Sequence, residues 1–170
     1  GKLTEVEAAA TGACFAREVM GSDSGTALIE TQPPSSVTGR GGRSTRGLTN
    51  GIVSAFVANP KWEIELIPVK TYKGVFDLRV EHDRLDNKGI SVGFIKALAA
   101  EYPLTFQREK CLKLLKTPDV ADALILLFSR FIELVPRDIC QELLDTEVTR
   151  RIPTGLQTLL LGLMIMEEYR

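Results

Sequence analysis

Histidine is nearly missing from this chain: His82 is the only one among 170 residues. Cysteine is scarce too, with Cys14, Cys111 and Cys140 far apart and no C-x-x-C pair. A structural zinc site needs about four Cys or His ligands, so metal ligation is not expected and no cofactor is called for. An odd cysteine count at long spacings excludes a disulfide framework and reads as free thiols in a reducing, cytoplasmic compartment. The N-terminus lacks a basic segment followed by an apolar run, so no signal peptide is expected. The longest nearly unbroken apolar run, "LLLGLMIM" at 159–166, falls short of the roughly 20 residues that cross a bilayer, so no transmembrane segment is expected. Net charge is −1, which leaves no overall field toward nucleic acid or anionic membrane. Binding of a polyanion would have to come from a local cluster.

What is present is ordinary globular material. Hydrophobic residues make up 44% and charged residues 25%, which argues against global disorder. A chain of this length buries roughly 70% of its unfolded surface and needs no staple. One domain over 1–170 is expected, with residues 21–50 as a Gly/Pro/Arg-rich flexible arm or linker within it.

Residues 4–20 read as a helix. Thr4 and Glu7 form a capping-box pattern, and Val6, Ala10 and Cys14, extended by Ala13, make a modest apolar stripe. Three strand-like runs follow at 51–59, 61–69 and 74–82. The second sets Trp62, Ile64 and Leu66 against Glu63 and Glu65. The third sets Phe76, Leu78 and Val80 against Asp77, Arg79 and Glu81. A short link at 70–73 suggests an antiparallel hairpin with one wet face, where the carboxylates sit beside Lys70 and Arg79. Helical texture returns at 91–102, 105–116, 117–135, 136–145 and 153–169, with Thr117 and Pro118 as a helix start. The expected fold is therefore α+β: a small antiparallel sheet of about three strands, an N-terminal helix, and a C-terminal cluster of four or five helices.

The stretch "TGRGGRSTRGLTNG" at 38–51 invites three readings. "GRSTRGLT" has the glycines and final threonine of a phosphate loop, but Leu48 stands where the lysine belongs. Its flanks also read wrongly, with no strand before it and no helix after it. A dinucleotide fingerprint fails at Ser44. A polyanion-binding arm fares better. Arg40, Arg43, Arg46 and Lys61 lie in a stretch with no acidic residue between Glu30 and Glu63, so RNA or another polyanion is a candidate partner. The bland alternative is a solvated loop. Lys96, Arg108, Lys110, Lys113 and Lys116 give the middle helices a basic side that reads first as solubility.

His82 lies among Glu81, Asp83 and Asp86, and a ligand or enzyme site between sheet and helices would be built there. No catalytic residue stands out, and the cysteines lie in apolar surroundings that suit thiols. Two helices, at 124–135 and 156–166, are apolar on most sides. Leu156, Leu159, Leu160, Leu163 and Met166 make one stripe offered as a homo-oligomer interface. The expected function is non-enzymatic: a small self-associating structural or interaction protein with the texture of viral capsid, matrix or accessory proteins. The alternatives are the His82 site and a regulatory or effector module that binds a protein partner at the sheet edge near Pro68.

Overall fold

The computed structural model describes residues 3–31, 40–78, 87–134 and 154–168. The chain forms two compact units, Gly1–Val69 and Lys70–Arg170.

The first unit begins with helix α1, Glu5–Met20. Thr4 caps it: the Thr4 side chain accepts from the Glu7 amide, and the Glu7 carboxylate accepts from the Thr4 amide. The Thr4 amide first, and then the Thr4 hydroxyl, both donating to the Glu7 carboxylate, hold its pKa below the ordinary value. Strand β1, Gly25–Thr31, follows, then helix α2, Arg40–Val57, and strand β2, Trp62–Pro68. β1 and β2 pair in parallel, Gly25 opposite Trp62 through Thr31 opposite Pro68. Ala27, Ile29, Trp62 and Ile64 face the helices and pack on Ala16, Met20, Ala55 and Phe56. The Trp62 ring meets Phe56 edge-on at 5.2 Å, and its Nε1 donates to the Asp23 carbonyl at 2.9 Å.

Glycine decides how α1 meets α2. A Cβ on Gly12 would collide with the Leu48 carbonyl, one on Gly47 with the Glu5 carbonyl, and one on Gly51 with the Ala9 carbonyl. The helices therefore touch backbone to backbone. Ala8, Gly12 and Ala16 form one small-residue row, and Gly47, Gly51 and Ala55 form the other. Such rows let helix axes approach closely enough for dense van der Waals contact. The pairings Glu5 with Gly47 and Ala9 with Gly51 advance together, so the two helices run in the same direction.

The second unit is helical. It contains α3 (Val69–Val75, which starts at the boundary), α4 (Asn87–Glu101), α5 (Pro103–Phe106), α6 (Arg108–Leu114), α7 (Pro118–Phe131) and α8 (Thr154–Glu168). A 3-10 turn, Ile132–Leu134, extends α7. Tyr72, Ile95, Ile125, Leu159 and Leu163 are its largest fully buried apolar side chains. Phe76 stacks near Phe94, and Phe106 meets Phe128 edge-on. Gly155 of α8 lies so close to Val75 of α3 that a Cβ there would clash. Gln107 takes a left-handed conformation (φ 43°) and turns the chain from α5 into α6.

The expected antiparallel, three-stranded sheet is corrected by these elements. The run 51–59 belongs mostly to α2, because Ile52, Ala55 and Phe56 recur at helical spacing and α1 supplies a face for them. The supposed hairpin link is α3, and 74–78 completes that helix and turns. The rest of that run, 79–82, lies outside the described residues, as does the expected helix 136–145. Within the supposed arm at 21–50, residues 25–31 are a strand and 40–50 are helix, and 32–39 lie outside the described residues. The apolar stripe read on α1 points outward: Val6 is 78% exposed, and Ala10 and Cys14 are exposed. The row of small residues is the buried one.

Two glycine substitutions separate packing from propensity. Gly51→Ala gains about 1 kcal/mol of helix propensity but forces α1 and α2 apart, for a net loss of about 1–3 kcal/mol. Gly93→Ala, on an exposed position of α4 with no atom near the new Cβ, gains about 1 kcal/mol. Denaturant unfolding followed by fluorescence of Trp62, the single tryptophan, reads the first; far-UV circular dichroism reads the second.

Candidate functional site

The most concentrated chemistry in the described chain is a polar cluster in the second unit. Lys73 on α3 points its Nζ at the Asp122 carboxylate of α7, 2.7 Å away, and donates to the Ser91 hydroxyl of α4 at 3.2 Å. Ser91 is fully buried, and the Lys73 and Asp122 side chains keep only 15% and 23% of their exposure. Asp122 Oδ1 lacks hydrogen-bond alignment with any donor, so its contact with Lys73 is ionic. Helical spacing explains the placement: Asp122 shares the inner side of α7 with Ala121, Ile125 and Ser129.

A serine beside a lysine suggests nucleophile and base. The geometry points elsewhere. Lys73 Nζ donates to the Ser91 hydroxyl, where a base would accept from it, and the same Nζ is in contact with the Asp122 carboxylate. The cluster is an ion pair that joins α3, α4 and α7. Removing one partner leaves the other charged and mostly buried.

Of the four cations read as a polyanion site, Arg40, Arg43 and Arg46 follow one another at spacings of three on α2, and Lys61 lies beyond its far end. Arg43 lies exposed on α2. Arg46 is bound to Glu5 of α1, with Nε 3.1 Å from Oε1, so it tethers the helix pair. Lys61 follows the far end of α2 and points its Nζ at the Ser22 carbonyl, 3.5 Å away. The helix rises about 21 Å from Arg43 to Val57, which puts Lys61 far from Arg40 and Arg43. Arg40 is the first residue of α2. The near-match to a phosphate loop, residues 42–49, lies inside α2. Its flanks, β1 before and α2 around it, are nearer to those of a phosphate loop than the sequence suggests. Past the first turn, however, the amides of a helix bond to its own carbonyls and cannot cradle a phosphate.

The apolar stripe on α8 is mostly used within its own unit. Leu159 is 0% and Leu163 1% exposed, which removes both from any outer surface. Leu156 and Leu160 are half-buried and Met166 is partly exposed. A second apolar row, incompletely covered, is on α7. Val120, Leu124, Leu127 and Phe131 recur at spacings of 4, 3 and 4, which puts them on one side. The core side holds Ala121, Ile125 and Ser129. Phe131 packs with Leu161 and Ile165 of α8, Val120 and Leu124 are half-buried, and Leu127 is 54% exposed.

His82, Glu81, Asp83 and Cys140 lie outside the described residues. Cys14 is exposed and Cys111 buried, and burial pushes the Cys111 thiol pKa up. Burial first, then Glu101 and Glu167, raises the Tyr102 pKa and keeps its phenol neutral. Among the described residues no group of three or more His, Cys, Asp or Glu side chains could hold a metal ion. None of their helices is long and apolar enough to cross a membrane. The Lys73 cluster was not found by sequence reasoning. Its signal was Lys73 beside Tyr72 in "VKTYKGV", and an aspartate within an apolar helix.

Asp122→Ala should destabilise the second unit by about 3 kcal/mol, while Lys73→Met with Asp122→Leu should recover most of that loss. Thermal unfolding by circular dichroism measures both. Arg46→Ala should lower the first unit's stability by about 0.2–1 kcal/mol, and Arg43→Ala should leave it unchanged within error, both read by Trp62 fluorescence. No protein-family model matches this chain, and no curated protein or solved structure matches it.

Proposed function

We propose that this chain is a non-enzymatic interaction protein that associates with itself through the outer face of α7. The observation that carries this reading is the second apolar side of that helix: Val120, Leu124, Leu127 and Phe131 at 4-3-4 spacing, incompletely covered. A spacing of 4, 3 and 4 keeps one seam facing a partner helix along its length. A solvent-facing helix side would be polar. Exposed Leu104 and Met164 in the same unit add apolar surface. Support for a non-catalytic role comes from the Lys73–Ser91 pair, whose lysine is occupied by Asp122. The polyanion reading loses support because Lys61 lies away from the arginines and Arg46 is already paired.

Sedimentation equilibrium over a concentration series tests the reading. The unaltered chain should show a concentration-dependent oligomer, and Leu127→Glu should weaken association at least tenfold while keeping its helical circular dichroism. A strict monomer at high concentration would refute the proposal.

A further inference from the structure

We infer that α6 and the turn after it form a docking surface for an anionic membrane, with lipid headgroups as the ligands of its cations. This goes beyond the self-association reading and rests on other residues of the second unit.

Residues 107–117, "QREKCLKLLKT", hold four cations, Arg108, Lys110, Lys113 and Lys116, and one acid, Glu109, for a net charge of +3. The other described residues of the second unit hold five cations and seven acids. Within that unit the positive excess is therefore confined to this stretch. A chain of net charge −1 reaches an anionic surface through such a local cluster. The cluster is on the outside. Cys111 and Leu115, four apart, are the buried side of α6 and its end, and all four cations are exposed. At about 100° per residue, Lys113 lies opposite that buried side and Lys110 next to it. Lys116 follows after three more residues, just past the helix end.

Surface lysines that serve solubility stand among acids, away from exposed large apolar side chains. Here leucines stand among the cations. Leu112 is 41% and Leu114 62% exposed, one on either side of Lys113, and Leu104 on α5 is 58% exposed. That combination selects the partner. Nucleic-acid phosphates would engage the cations and leave the leucines in water. Stacking on bases uses aromatic side chains, and residues 107–117 include none. The centre of a protein interface is depleted in lysine, whereas three of these four cations are lysine. A membrane surface takes both kinds of side chain. Ammonium groups stay at the level of the phosphates, while their methylene stems and the leucines enter the boundary with the acyl chains. Each cation near an anionic surface strengthens binding about fivefold.

Co-sedimentation of the full chain with vesicles tests the inference. The chain should bind phosphatidylcholine vesicles that contain about one-third phosphatidylserine, fail to bind phosphatidylcholine alone, and release as salt rises. Lys113→Gln should weaken binding about fivefold. Arg43→Gln, the same loss of charge in the first unit, should leave it unchanged. Leu112→Ser with Leu114→Ser should weaken it at least fivefold at constant charge. Retained helical circular dichroism shows that each variant is folded. No binding of the unaltered chain to the phosphatidylserine vesicles would overturn the inference, and equal losses from Arg43→Gln and Lys113→Gln would overturn α6 as the contact. Vesicle binding untouched by the leucine changes, with equal binding to single-stranded RNA, would make the surface a general polyanion site and overturn the membrane assignment. Sedimentation of the free chain reads the α7 proposal separately.

Discussion

Backbone contact between α1 and α2 sets the arrangement of the whole first unit. Gly12, Gly47 and Gly51 each face a carbonyl oxygen of the other helix with no room for a side chain. Two helices that meet in this way have their register and direction fixed together, because a slide of one residue would bring a side chain against the opposing backbone. They run in the same direction. Each then reverses through a short connection, 21–24 after α1 and 58–61 after α2, into a strand. Two like reversals from parallel helices deliver two parallel strands, and the pairing of β1 with β2 follows. Glu5 and Arg46 add an ion pair at the amino end of α1. It is exposed and contributes little beside the packing. Glycine inside a helix costs about 1 kcal/mol against alanine, and here the close approach offsets that cost.

The second unit is organised by a different constraint. Tyr72 and Phe76 bury α3 and the turn after it, and the Lys73 ammonium must then be accommodated in a mostly apolar setting. Asp122 and Ser91 accommodate it from two other helices. Such a cluster adds little net stability compared with apolar side chains of the same shape, but it is intolerant of losing one member. It also occupies the lysine that stands beside the buried Ser91. The same helix, α7, turns Ile125 inward and Leu127 outward, so the feature that builds the core also leaves an apolar seam. Core formation and self-association would therefore draw on opposite sides of one helix.

Much of the local structure was legible in the residues. The Thr4–Glu7 capping box starts α1 as its spacing requires. Pro118 opens α7, and the alternation of Trp62, Ile64 and Leu66 with Glu63 and Glu65 marks β2. β1 was missed because "GTALIET" is short and lies in a stretch poor in large apolar residues, where glycine and proline suggest a linker. The amino half of α2 was missed for a related reason. Glycine and arginine among polar residues give no apolar period, and helix propensity is poor; the reward for being helical comes from α1. The candidate seam was half legible. An apolar surplus at 124–135 and 156–166 was visible, but its inner and outer sides were not, and Leu159 and Leu163 proved to be core.

The sequence by itself determined the one-dimensional properties of this protein. It set where α1, α7 and α8 begin, that 62–68 is extended, and that no apolar run is long enough to span a bilayer. Tertiary structure decided the rest. It made Gly47 and Gly51 of "TGRGGRSTRGLTNG" a helix contact and no phosphate cradle. It turned Val6 outward and Gly12 inward, made the strands parallel, and joined Lys73 to Asp122 across 49 positions of chain. The physical reason is that periodicity reports which residues share a face, while the face that is buried depends on what is packed against it. A row of glycine and alanine has almost no hydrophobic signal, yet it is the row on which two backbones can meet.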